Sequence, residues 1–104
     1  MSTWFITRHP GARRWAEQQR LVIDRYCVHF DPAEVARGDT VIGSLPVHLA
    51  AAVCAAGARY VNLSLDLSAQ ARGKELSAEE LTHYNPRLEE YTITAKAKHQ
   101  NPHG

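Results

Sequence analysis

Apolar positions fall in short blocks separated by polar turns, and the blocks follow two different periods. Trp4, Phe5 and Ile6 are apolar on consecutive positions, aromatic and β-branched, which predicts a first strand covered on both faces. A first helix is expected from Pro10 or Ala12 to Arg20, with Trp15, Ala12 and Gln19 near its stripe and Arg13 and Arg14 solvated. Residues 26–30 alternate and predict a second strand. Asp31 then caps a helical turn with Pro32 in its first position. After a turn at residues 37–39, residues 40–42 read as a third, short strand. A second, alanine-rich helix runs over residues 46–56 and stops at Gly57. Residues 60–65 predict a fourth strand with Val61, Leu63 and Leu65 on one face. A polar loop follows over residues 66–74. Ser77 and Glu80 form a capping box that opens a third helix, ending near Tyr84 before Asn85-Pro86. Residues 88–93 predict a last strand whose apolar members are Leu88, Tyr91 and Ile93.

The order β-α-β-β-α-β-α-β predicts an α/β fold around a mainly parallel five-stranded sheet with helices on both faces. A single domain over residues 1–94 is expected, with residues 95–104 as a frayed tail. If the second and third strands flank the first, right-handed crossovers bring two strand-to-helix elbows to the same sheet edge. One elbow is Thr7-Arg8-His9-Pro10-Gly11-Ala12; the other is Gly43-Ser44-Leu45-Pro46-Val47-His48.

Composition changes this picture only a little. A chain of 104 residues with 44% hydrophobic and 22% charged residues has the composition of a soluble globular protein. So small a core favours self-association. The net charge of +1 supplies no overall field for nucleic acid, so DNA is not expected as a partner and any anion site must be local. Cys27 and Cys54 lie in apolar runs and read as reduced core thiols of a cytosolic protein. No apolar run approaches the roughly 20 residues of a membrane span, and no signal-peptide pattern opens the chain. A cytoplasmic location, with no membrane partner, is the expectation.

The elbows carry the candidate chemistry. Helix starts expose unpaired N–H groups that suit phosphate. Thr7 and Ser44 add hydroxyls, Arg8 a permanent two-pronged cation, and His9 and His48 titratable donors. Asp66 and Arg72 follow the fourth strand on the same edge, where Asp66 could orient a His or Arg and Arg72 could contact a second phosphate. Each has a plainer reading. Ser44 caps the second helix, His48 packs, Asp66 caps its loop, and Arg72 sits in solvent. His29 reads as structural or exposed, and His83, His99 and His103 as surface or tail. No His/Cys spacing forms a credible zinc site, so no metal or other cofactor is expected. Arg8-His9 after a first strand resembles the start of the histidine phosphatases. Pro10 stands where that motif needs Gly, and the chain is too short for that fold.

Taken together, Thr7 to Ala12, the stretch from Gly43 through His48 to Ala50, Leu63-Ser64-Leu65-Asp66 and the stretch from Ala71 through Arg72 to Ser77 resemble a small CRISPR-associated family. It is one of the Csx-type accessory proteins of type III systems, and the resemblance spans residues 3–93. It implies a Rossmann-like domain related to the CARF sensors. It also implies a ring nuclease for cyclic oligoadenylate, cyclic tetra-adenylate foremost, acting as a homodimer. In that reading Arg8, His9, Ser44 and His48 are the catalytic set. Thr7, Pro10, Gly11, Gly43, Leu45, Pro46, Asp66 and Arg72 are the ligand-binding residues. The ribose 2′-hydroxyl attacks its own phosphate, so no metal is needed. Two other readings remain open: a sensor or sponge that binds the ring without cutting it, and an interaction protein whose elbows are only caps.

Overall fold

The computed structural model describes residues 1–96 of the chain. Five strands form one sheet: β1 (Thr3–Ile6), β2 (Arg25–Cys27), β3 (Thr40–Gly43), β4 (Arg59–Ser64) and β5 (Arg87–Tyr91). Their order is β2-β1-β3-β4-β5. The first four are parallel and β5 runs antiparallel to β4. Three helices, α1 (Pro10–Gln18), α2 (Val47–Ala55) and α3 (Ala78–Thr82), and a 3₁₀ turn at Pro32–Glu34 complete the Rossmann-like α/β fold.

The consecutive apolar residues of β1 are explained by its central place. Phe5 joins Trp15, Ala16, Ile42, Leu63 and Leu81 in the cluster beneath α1 and α3. Trp4 and Ile6 point the other way, into a cluster with Val35, Val53 and Tyr60 beneath α2. Val61, Leu63 and Leu65 share the α1 side, as the alternation of β4 requires. Gly57 turns the chain out of α2 at φ +85°, a conformation open to glycine and costly for other residues. Ser77 Oγ accepts from the Glu80 N–H at 3.1 Å while Glu80 Oε1 accepts from the Ser77 N–H at 3.2 Å, completing the capping box. Asp31 accepts from the Ala33 N–H and so caps the 3₁₀ turn.

Three expectations are corrected. The second strand ends at Cys27 rather than at residue 30, because the chain bends at Val28 and His29. Phe30 then meets Trp4 edge-on with 6.2 Å between ring centroids. The apolar members of β5 are not core: Leu88 is 38% and Tyr91 46% exposed, because this edge strand has a free side and their spacing sends them to opposite faces. The cysteines are free, as expected, but half-buried. Cys54 Sγ accepts from the Ile93 N–H at 3.4 Å and so helps hold the segment after β5. Apart from Ala95 and Lys96, the expected tail lies outside the described residues, as do His99 and His103.

One buried carboxylate fastens the opposite edge of the sheet from the elbows. Asp39 accepts from the Ser2 N–H at 2.8 Å, from Trp4 Nε1 at 3.1 Å and from the Ala36 N–H at 3.0 Å. The backbone donors of Ser2 and Ala36, with help from Trp4, hold its pKa below the ordinary carboxylate value. Among the described residues no helix is long and apolar enough to cross a membrane.

Candidate functional site

The chain leaves β1 for β2 by way of α1 on one face, and leaves β3 for β4 by way of α2 on the other. The switch point between β1 and β3 therefore opens a crevice at the carboxyl ends of the parallel strands. A cleft of about 460 Å³ lies there, within the usual range for small-molecule sites.

The first elbow forms one wall. Thr7 N–H donates to Cys27 O at 3.0 Å, carrying the parallel pairing of β1 and β2 one residue further. Thr7 Oγ1 then accepts from the His9 N–H at 3.1 Å, so this hydroxyl shapes the turn. His9 is the residue before α1, Pro10 opens the helix, and no side chain caps it. Arg8 and His9 are exposed and both line the cleft.

The second elbow forms the facing wall, and it is held by side chains that sequence inspection passes over. A Cβ on Gly43 would stand 2.8 Å from Ile6 O, so glycine lets β3 lie close to β1 there. Ser44 Oγ donates to Leu63 O at 2.8 Å and does not cap α2, whose preceding residue is Pro46. The Tyr60 hydroxyl accepts from the Leu45 N–H at 3.1 Å and donates to Asn62 Oδ1. Asn62 Nδ2 donates on to Ser64 Oγ at 2.8 Å. Burial pushes the Tyr60 pKa up, so the hydroxyl stays protonated and the relay intact through the neutral range.

Of the residues expected at the site, Thr7, Arg8, His9, Gly43, Ser44, Leu45 and Pro46 line the cleft. Pro10 lines a smaller adjoining hollow of about 190 Å³, which shares Arg8 and His9 with the cleft. Gly11 serves packing: a Cβ there would fall 1.8 Å from Leu76 O, so α1 and the loop before α3 touch backbone to backbone. His48 is exposed and not part of the cleft wall. Asp66 turns to β5, where it meets Arg87 at 3.1 Å and accepts from Asn85 at 3.2 Å. Those two donors hold its pKa below the ordinary value. Arg72 is exposed and does not reach the cleft.

Two ionisable lining residues were not expected there. His29 stands at the bend after β2, between Cys27 in the sheet and Phe30 packed on Trp4. Lys74 comes from the loop before α3, two places beyond Arg72. Among the described residues the ionisable side chains lining the cleft are Arg8, His9, His29 and Lys74, with no carboxylate among them, above a floor of leucines such as Leu45, Leu63 and Leu65. An apolar floor with a basic rim suits a ligand with flat, weakly polar parts joined to anionic groups. Among the described residues no three His, Cys, Asp or Glu side chains gather as a cation site.

A protein-family model described as "Putative CRISPR-associated protein (Cas_VVA1548)" matches residues 4–94. The match runs through every strand and helix described above, and the chain belongs to this CRISPR-associated family. No curated protein and no solved structure matches it.

Proposed function

We propose that this member of the Cas_VVA1548 family is a ring nuclease that cuts cyclic oligoadenylate, cyclic tetra-adenylate foremost, and so switches off type III CRISPR signalling. The observation that carries the reading is the cleft at the β1–β3 switch point, rimmed by Arg8, His9, His29 and Lys74 with no carboxylate among the described lining residues. Its charge suits a phosphodiester, and its leucine floor suits a base. The sequence resemblance to Csx-type proteins supplies the cyclic ligand.

Arg8, together with the uncapped start of α1, grips one phosphate. The ribose 2′-hydroxyl loses its proton to an imidazole and forms the new O–P bond. The P–O5′ bond breaks, and the leaving 5′-oxygen takes a proton from a second donor. The products are linear adenylates ending in 2′,3′-cyclic phosphate. His9 follows β1 and His29 follows the neighbouring β2, and both line the cleft, so one can accept a proton while the other gives one. Lys74 and Arg8 offset the charge that builds on the phosphorane. Ser44 supports this site by bridging β3 to β4, since its hydroxyl proton is held by Leu63 O. The nucleophile belongs to the substrate, so the reaction proceeds without a metal ion. A homodimer presents two copies of the cleft to opposite phosphates of the symmetric ring.

A second reading, a sponge that holds the ring without turnover, draws on the same cleft. The absence of Ser44's proton and of His48 from the expected machinery favours it. Incubation of the protein with cyclic oligoadenylates of several ring sizes in EDTA, followed by chromatography, separates the two. Linear products beyond one equivalent per site establish the nuclease. Intact ring captured at one per homodimer, without turnover, establishes the sponge, and an intact, unbound ring overturns both.

A further inference from the structure

The first elbow is a ridge with a depression on each side. On one side is the leucine-floored cleft. On the other is the hollow of about 190 Å³ beside β2, and Thr7, Arg8, His9 and Val28 line both. The hollow is smaller than sites that hold a whole ligand, which usually run to about 300 Å³ or more. It suits a fragment of something held elsewhere, and the shared ridge says where.

Its far wall is already built as a stacking platform. The Arg13 guanidinium lies over the Tyr26 ring at 4.4 Å from the centroid, and Arg13 Nε is 3.5 Å from Glu17 Oε1 one helical turn on. Tyr26 in turn packs against Phe5, with 5.7 Å between ring centroids. Arg13 is thus oriented from below and from the side while its outer face stays exposed to solvent. A guanidinium so held presents a flat cationic face, on which nucleobases stack without regard to their sequence.

We propose that this hollow is a nucleobase subsite, and that the ligand crosses the ridge as one dinucleotide step. The phosphate rests at Arg8 and His9, one base enters the leucine-floored cleft, and the next stacks on the free face of Arg13, which Tyr26 backs. This rests on the nucleotide reading given above and adds how the strand is held. A ligand astride the ridge has both flanking sugars anchored, and the linking phosphate then has little freedom left to turn. Such anchoring is what in-line attack by a 2′-hydroxyl requires.

The probe is the dinucleoside monophosphate ApA, added to the ¹⁵N-labelled full-length chain, with amide shifts followed for wild type, Arg13→Ala and Arg13→Lys. Both substitutions lie on an exposed helix face and leave the core intact. Wild type is expected to shift amides of Arg13, Tyr26 and Val28 together with Leu65 and Lys74. Arg13→Ala should weaken ApA about five- to tenfold, and Arg13→Lys, which keeps the charge but loses the plane, nearly as much. Shifts confined to the leucine-floored cleft, wild-type affinity in Arg13→Lys, or no binding of ApA each overturn the subsite. The result is separable from the nuclease reading. Binding across both depressions with rings left intact keeps the subsite and loses the nuclease. Rings cut equally well by both Arg13 variants, with unchanged KM, do the reverse.

Discussion

Arg8 follows a buried strand directly and is exposed between the cleft and the hollow, so its charge is spent on neither packing nor an internal ion pair among those described. Arg8→Ala should reduce ring cutting by about 10²-fold or more, as loss of a transition-state donor does. His9→Ala and His29→Ala should each cost about 10²-fold or more, the usual loss for a proton-transfer group. His48→Ala, whose side chain lies off the cleft, should cut within about twofold of wild type. Initial rates with cyclic tetra-adenylate, resolved by chromatography, check all four. Equal losses in His48→Ala and His9→Ala would move the site toward α2. The cleft's residues were unevenly legible. Arg8 and His9 stood out because a charge after a buried strand has few structural uses. His29 was hidden inside an alternating run, since nothing local announces that Phe30 will leave the strand to pack on Trp4. Lys74 and Arg72 could not be told apart without the course of their loop. Asp39 is a second residue whose role is invisible locally. Backbone donors hold its folded carboxyl below the ordinary value, so the unfolded chain takes up that proton first as pH falls. Its stabilisation is whole above the ordinary carboxylate range and is lost as pH drops through the lower, folded value. Asp39→Asn should lower Tm at neutral pH and flatten the decline of Tm between about pH 5 and pH 2. A decline as steep as in wild type would place the acid-sensitive group elsewhere.

Elements were more legible than sites. Helix starts and stops carry local chemistry: Pro10, the Asp31 cap, Gly57 and the Ser77–Glu80 box all fall where short-range signals put them. What escaped was the context each element meets. Leu88 and Tyr91 look like core but sit on an edge strand, and Ser44 looks like a cap but bridges to β4. The backbone contact between α1 and the loop before α3 is a test of this context. Gly11→Ala puts a methyl 1.8 Å from Leu76 O, so either the loop or α1 must move. The expected cost is about 1–3 kcal/mol in urea unfolding, with Lys74 displaced and ring affinity lowered. Tyr60→Phe strips the partner from the Leu45 N–H and should cost about 1–3 kcal/mol. Stability unchanged in Tyr60→Phe would mean that the relay to Asn62 is ornamental.

At the scale of the whole molecule, a five-stranded sheet in 104 residues leaves a modest core. Burial in a homodimer would enlarge it, and under the proposed function a symmetric ring would give the dimer a task as well. Sedimentation at micromolar concentration should therefore give twice the monomer mass of 11.6 kDa. A strict monomer that still cuts rings would show that one cleft suffices. The strand order has a further consequence, for how the chain finds its shape. β1 is the middle of the sheet's first half, yet it precedes both of its partners in the chain. Trp4 must wait for Arg25 on one side and Val41 on the other. Until then Trp4-Phe5-Ile6 is a naked sticky segment, and Asp39 cannot clasp Ser2. Pairings that span so much chain slow the search, so the interval before β3 arrives is when the newborn chain is most exposed to capture by another copy of itself.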